Sequence, residues 1–150
     1  MEENNKINTE KDNCIVSVSG GFDPVHIGHV RLFEEAKKLG DTLVVIINGD
    51  SWLVRKKGKY FMNQEERAEI IRAFACVDDV FIWDSEEDNV CGALEIVRPQ
   101  IFANGGDRRV LKDIPEAEIC KELKIDMIFN VGKGGKIQSS SELLHEYSNV

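Results

Sequence analysis

The sequence predicts an α/β fold, a five-stranded parallel sheet with helices on both faces. Two observations carry that expectation. Short apolar runs closed by Gly, Asn or Asp alternate along the 150 residues with segments whose apolar positions recur at helical spacing. One of the runs, "TLVVIIN", is continuously apolar and largely β-branched, as suits a strand covered on both faces. Strands alternating with helices favour parallel pairing, because each crossover helix must pack back onto the sheet.

The elements follow in order. "MEENNKINTEKDN" is polar and mixed in charge, so residues 1–13 are expected to form a flexible tail and residues 14–150 a single domain. "CIVSVSG" reads as the first strand. "HVRLFEEAKKLG" reads as a helix with Leu32, Phe33, Ala36 and Leu39 on one face and Gly40 as its stop. "TLVVIIN" is the second strand, and the basic run "RKKGK" is expected in the loop after it. "NQEERAEIIRAFA" opens on Asn63 as N-cap with Glu66 three residues on. "DVFIWD" is the third strand and "VCGALEIV" a short helix ending before Pro99. "QIFANGG" is the fourth strand, "PEAEICKELK" a helix with Pro115 near its start, "DMIFNV" the fifth strand and "SSSELLHEY" the last helix.

Composition narrows the function. A net charge of −8 argues against bulk nucleic-acid or membrane-surface binding. The N-terminus lacks an apolar signal core, and no run of about 18 apolar residues occurs; a cytoplasmic location is expected. The four cysteines show neither C-x-x-C nor histidine spacing, so most of them read as buried free thiols rather than a metal site.

The stretch "GGFDPVHIGH", Gly20 to His29, holds two of the three histidines. It lies where the first strand passes into the first helix. Ligands of open parallel sheets sit beyond the carboxyl ends of the strands. Gly20 and Gly21 permit close backbone approach, and helix-start amides attract phosphate. His26 and His29, three apart, can face one side and donate hydrogen bonds to growing negative charge. The plainer alternative is that His29 caps or packs and His26 is an ordinary loop residue.

These residues also carry a resemblance. "FDPVHIGH" resembles the H-x-G-H signature of the cytidylyltransferase-like nucleotidyltransferase superfamily, which includes glycerol-phosphate cytidylyltransferases and heptose-phosphate adenylyltransferases. "NQEERAEIIRAFACVDDV", "FANGGDR" and "KIQSSSELL" are similar to further elements of that group, in the same order. The resemblance runs from about Ile15 to Leu144 and implies a Rossmann-like domain. It implies transfer of a nucleoside monophosphate from CTP or ATP to a small phosphorylated polyol or sugar, with release of pyrophosphate. Mg²⁺ with the triphosphate and a homodimer are expected from it.

The resemblance also distributes roles. His26 and His29 would stabilise the α-phosphate, and backbone near Gly20, Gly21, Phe22, Asp23 and Gly28 would line the triphosphate. Lys56 or Lys57 would meet phosphate oxygens. Gly105 and Asp107 would lie near the nucleoside, and Ser139, Ser140 and Ser141 near the outer phosphates. Arg67 falls on the E-x-R helix, either touching the site or as a surface charge. Trp52 is either an acceptor-side aromatic or a packing residue. "GKGGKIQ" replaces the R-T-x-G run of glycerol-phosphate enzymes, with Lys133 or Lys136 as substitutes for the arginine, and "GGD" leans to the heptose type.

Four other activities each require a feature to set against this pattern. Adenylyl transfer to FMN would need a pocket for a large flavin ring. A catalytically silent nucleotide binder sits poorly with two signature histidines. A class I aminoacyl-tRNA synthetase fragment would need a K-M-S-K-S-like motif. An NAD-binding protein would need G-x-G-x-x-G after the first strand.

Overall fold

The computed structural model describes residues 13–105, 114–132 and 140–148. Along them run β1 (Ile15–Gly20), α1 (Ile27–Lys37), β2 (Thr42–Asn48), α2 (Asp50–Lys57), α3 (Gln64–Arg72), β3 (Asp79–Trp83), α4 (Cys91–Val97), β4 (Ile101–Ala103), α5 (Ala117–Leu123), β5 (Asp126–Ile128) and α6 (Ser140–Ser148). The strands form one parallel sheet in the order β3-β2-β1-β4-β5. The expected five-stranded, Rossmann-like architecture is therefore present.

Side chains of successive strand residues point to opposite faces, and two cores result. Val16, Val18, Leu43, Val45, Ile47 and Val80 meet Phe33 and Ala36 of α1 and Ala68 and Ile71 of α3. On the other face, Ile46 and Phe102 meet Ala93 and Leu94 of α4 and Cys120 of α5. The continuous apolar run of β2 is thus covered on both sides. Each fully buried side chain of this size contributes about 1.5–3 kcal/mol.

The chain moves outward from β1 to β2 and β3, then returns to β4 on the other flank of β1. The order reverses between β1 and β4, and that reversal opens a crevice at the carboxyl ends of these two strands. Register places the chain leaving β4 near the end of β1, because Ser17 pairs with Phe102 two residues before Asn104. The loop carrying His26 and His29 leaves β1 into this crevice.

Three expectations change. Arg55, Lys56 and Lys57 are not in a loop but form the last turn of α2, which Gly58 closes in the left-handed conformation at φ 87°. Asp50 in the first turn and three cations in the last complement the helix dipole, so the charge pattern supports a helix here. The helix after Asn63 ends at Arg72, earlier than expected. Its N-cap is as read, with the Glu66 N–H donating to Asn63 Oδ1 at 2.9 Å. Of the four free cysteines only Cys120 is fully buried; Cys14, Cys76 and Cys91 are half-buried. Among the described residues no helix is long and apolar enough to cross a membrane.

Candidate active site

His26 is the N-cap of α1, and His29 occupies the third helical position. The Gly28 N–H donates to His26 Nδ1 at 3.1 Å, and the His26 N–H donates to His29 Nδ1 at 3.2 Å. This is a capping box built from two imidazoles instead of a hydroxyl and a carboxylate. With each Nδ1 accepting, the ring proton of each neutral histidine sits on Nε2. The two rings stack at 3.8 Å between centroids. Phe22 meets His29 edge-on at 4.8 Å, and Phe33 supports Phe22 at 5.2 Å. Burial, then the neighbouring His26 and the charge of Lys57, push the His29 pKa down to about 3. His29 is therefore neutral at physiological pH and can donate from Nε2. The plainer reading of His29 as a capping residue is also true, since one atom caps the helix and the other remains for donation.

The loop before the histidines is fixed from several directions. Phe22, almost fully buried, adopts φ 52°, a left-handed conformation uncommon outside glycine. A Cβ on Gly20 would come within 2.9 Å of the Phe22 ring, and one on Gly21 within 3.2 Å of the Trp52 ring. These glycines admit aromatic neighbours as well as leaving backbone accessible. Asp23, 2% exposed, accepts from the Phe61 and Met62 N–H groups at 2.6 and 2.7 Å. Its carboxylate ties the signature loop to the segment before α3. The Gly28 amide is likewise committed to the helix cap.

Arg67 lies neither on the surface nor in the open crevice. It is completely buried. Its Nη1 donates to Gly21 O at 2.7 Å and Asn48 O at 2.6 Å, its Nε to Met62 O at 2.9 Å, and its Nη2 pairs with Asp50 at 2.8 Å. One guanidinium thus fastens the exits of β1 and β2 and the starts of α2 and α3. Its planar fork suits several carbonyls at once.

The remaining candidates gather unevenly. The Ser140 hydroxyl donates to Pro24 O at 2.7 Å, so the start of α6 meets the signature loop. Ser141 is exposed beside it, and Gly105 follows β4. Lys57 is close enough to influence His29. Lys56 instead holds its ammonium 5.7 Å from the Trp52 ring centroid. Asp107, Ser139, Lys133 and Lys136 lie outside the described residues. Sequence reading did not single out Asn48, Asp50 or the Arg55–Asp88 pair. Their contacts join segments far apart in the chain, and no local pattern marks them.

The signature turn, the reversed strand order and the stacked histidines together point to phosphate chemistry, and comparison with known proteins agrees. Residues 18–135 match the model of the family described as cytidylyltransferase-like. The chain belongs to that family of nucleotidyltransferases. It is 33% identical over 120 residues to the bifunctional protein HldE of Syntrophotalea carbinolica, covering 79% of this chain and 23% of that protein. It is 40% identical over 110 residues to the bifunctional protein HldE of Streptomyces coelicolor, covering 72% and 23%. The chain therefore spans about a quarter of the length of these curated relatives. A solved structure, that of the lipopolysaccharide core biosynthesis protein from Thermoplasma volcanium GSS1, superposes with a TM-score of 0.64 at 27% identity, covering 79% of this chain and 97% of that one.

Proposed function

We propose that the chain transfers an adenylyl group from ATP to a small phosphorylated sugar, releasing pyrophosphate. The observation that carries this is the pair of stacked imidazoles at the strand-to-helix turn, each Nδ1 accepting a backbone N–H, beside the crevice where the strand order reverses. In the reaction an oxygen of the acceptor phosphate forms a bond to the α-phosphorus. The bond from that phosphorus to the α,β-bridging oxygen breaks, and pyrophosphate leaves with the electron pair. A phosphate acceptor is already anionic, so no base is needed. The protein's task is to align two anions and stabilise charge on the α-phosphate.

Each residue has a task in this scheme. His26 and His29 donate to the α-phosphate as it becomes five-coordinate. Lys57 offsets the repulsion between acceptor and triphosphate. Ser140, Ser141 and the first amides of α6 suit the β- and γ-phosphates. Gly105, with Asp107 beyond it, suits the nucleoside. Among the described residues no cluster of His, Cys, Asp or Glu can cage a metal ion. Mg²⁺ therefore fits as a companion of the triphosphate oxygens, which is how this reluctant dehydrator is often bound. Relatedness to HldE proteins favours ATP and a sugar phosphate, while the family description leaves CTP as the competing nucleotide. A pyrophosphate-release assay decides, with ATP and CTP each crossed with sugar phosphates, polyol phosphates and FMN. ATP with a sugar phosphate should give the highest kcat/KM. Preference for CTP would overturn the nucleotide assignment, and preference for FMN the acceptor assignment. A homodimer, the family expectation, is tested by light scattering of the purified chain.

A further inference from the structure

We infer that Trp52, held by the loop after β3, is the residue that selects the shape of the acceptor, favouring a ring-form sugar phosphate over an open-chain polyol phosphate. The inference rests on the nucleotidyl-transfer reading above. The sheet order puts the segments leaving β2 and β4 on opposite flanks of the signature loop. With the nucleoside assigned to the β4 flank, the acceptor falls to the β2 flank, and the element standing there is α2.

Trp52 lies on the side of α2 that faces the signature loop. A Cβ on Gly21 would come within 3.2 Å of Trp52 Cζ3, so the indole lies directly against the backbone that leads to the histidines. The ring is only partly buried. Its Nε1 donates to Asp88 O at 3.4 Å. Arg55, one turn on, pairs with Asp88 at 3.1 Å and donates to Ser85 O and Glu87 O at 2.9 and 3.2 Å. Ser51 donates to Asp84 Oδ1 at 2.5 Å. Contacts from three residues, Ser51, Trp52 and Arg55, thus lock α2 to residues 84–88 and fix where the indole stands. Lys56 holds its ammonium over the same ring.

A flat aromatic surface next to a cation is a two-part recognition element. A sugar ring would lay its C–H face over the indole where the Lys56 ammonium now stands, and the flexible ammonium would swing aside to meet the phosphate that the ring carries. An open-chain polyol phosphate offers the same phosphate but no flat face, so it gains only half of the contact. Arg55 neutralises Asp88, which keeps the neighbouring acidic loop from repelling an anionic acceptor.

The test measures pyrophosphate release by the full chain with a panel of four- to seven-carbon ring-form sugar phosphates and matched open-chain polyol phosphates. Trp52→Ala, Trp52→Leu and Trp52→Phe are compared with the parent. The best acceptor should be a ring-form sugar phosphate. Its KM should rise about 10-fold in Trp52→Ala and Trp52→Leu, and rise much less in Trp52→Phe, while the nucleotide KM moves less than about 2-fold. Polyol phosphate KM should stay nearly constant across the series, a pattern that mere loosening of α2 would not produce. A polyol phosphate as best acceptor, or an equal KM rise for all acceptors and the nucleotide, overturns the assignment of Trp52. Turnover with no member of the panel overturns the transfer reading itself, and this inference with it.

Discussion

The signature turn and the wall that α2 makes beside it, with Trp52 against Gly21, are built differently. The turn is held from inside. Asp23 and Arg67 are buried and bind backbone groups, and the two histidines cap their own helix. The wall is held from outside, by Arg55, Ser51 and Trp52 reaching partly exposed partners on residues 84–88. Buried hydrogen bonds to backbone fix a geometry tightly, because breaking them leaves unsatisfied groups out of water. Exposed pairs carry little energy and exchange readily with water. The contrast separates a rigid centre at the proposed phosphate site from a more adjustable wall at the proposed acceptor side.

The sharpest way to break this comparison is at the histidines. His26→Ala or His29→Ala should lower kcat by about 10²–10³ while nucleotide KM changes little, because a donor to the transition state is lost. Near-parent kcat in both folded variants would remove them from the chemistry.

Arg67 tests whether the rigidity is structural. Arg67→Met should cost about 3 kcal/mol in urea unfolding, since the carbonyls of Gly21, Asn48 and Met62 lose their donor and Asp50 its partner. A loss below about 1 kcal/mol would mean that water or neighbours replace the guanidinium readily.

Acid sharpens the same point. His29 has a pKa of about 3 in the folded chain against an ordinary value of 6.5. Between these values the unfolded chain binds the extra proton, so the stability from burying neutral His29 is complete above about pH 6.5 and is lost as pH falls toward 3. The slope reaches about 1.4 kcal/mol per pH unit. Unfolding midpoints of the parent should therefore fall more steeply from pH 7 to pH 4 than those of His29→Asn. Parallel curves would place the imidazole in contact with solvent.

The smallest effect belongs to the wall. Arg55→Ala should change stability by less than about 1 kcal/mol, because its ion pair is largely exposed. Its consequence should appear instead in acceptor KM. A large stability loss would show the two flanks to be equally rigid.

Much of this was legible in the sequence. The strand-helix alternation, the covered β2 run and the Asn63 cap are local patterns, and local patterns survive translation into structure. The histidine turn was legible because a spacing of three at a helix start fixes a shared side. The α2 assignment failed because four cations in five residues suggest a solvated loop, while their fit to a helix carboxyl end depends on Asp50 and Gly58 at the other positions. Arg67 was placed on the right helix, but its partners lie 46 residues away at Gly21 and 19 at Asn48, distances that no short-range pattern reports. The carboxylate of Asp23 reached amides 38 and 39 residues on for the same reason.

The bond from the Ser140 hydroxyl to the Pro24 carbonyl joins residues 116 positions apart. During synthesis at roughly 5–20 residues per second, Pro24 is made on the order of ten seconds before its donor. Through that interval the nascent chain already carries both histidines, yet the last helix has not reached them. The order of synthesis thus leaves this side of the signature loop without its partner until Ser140 has left the ribosome.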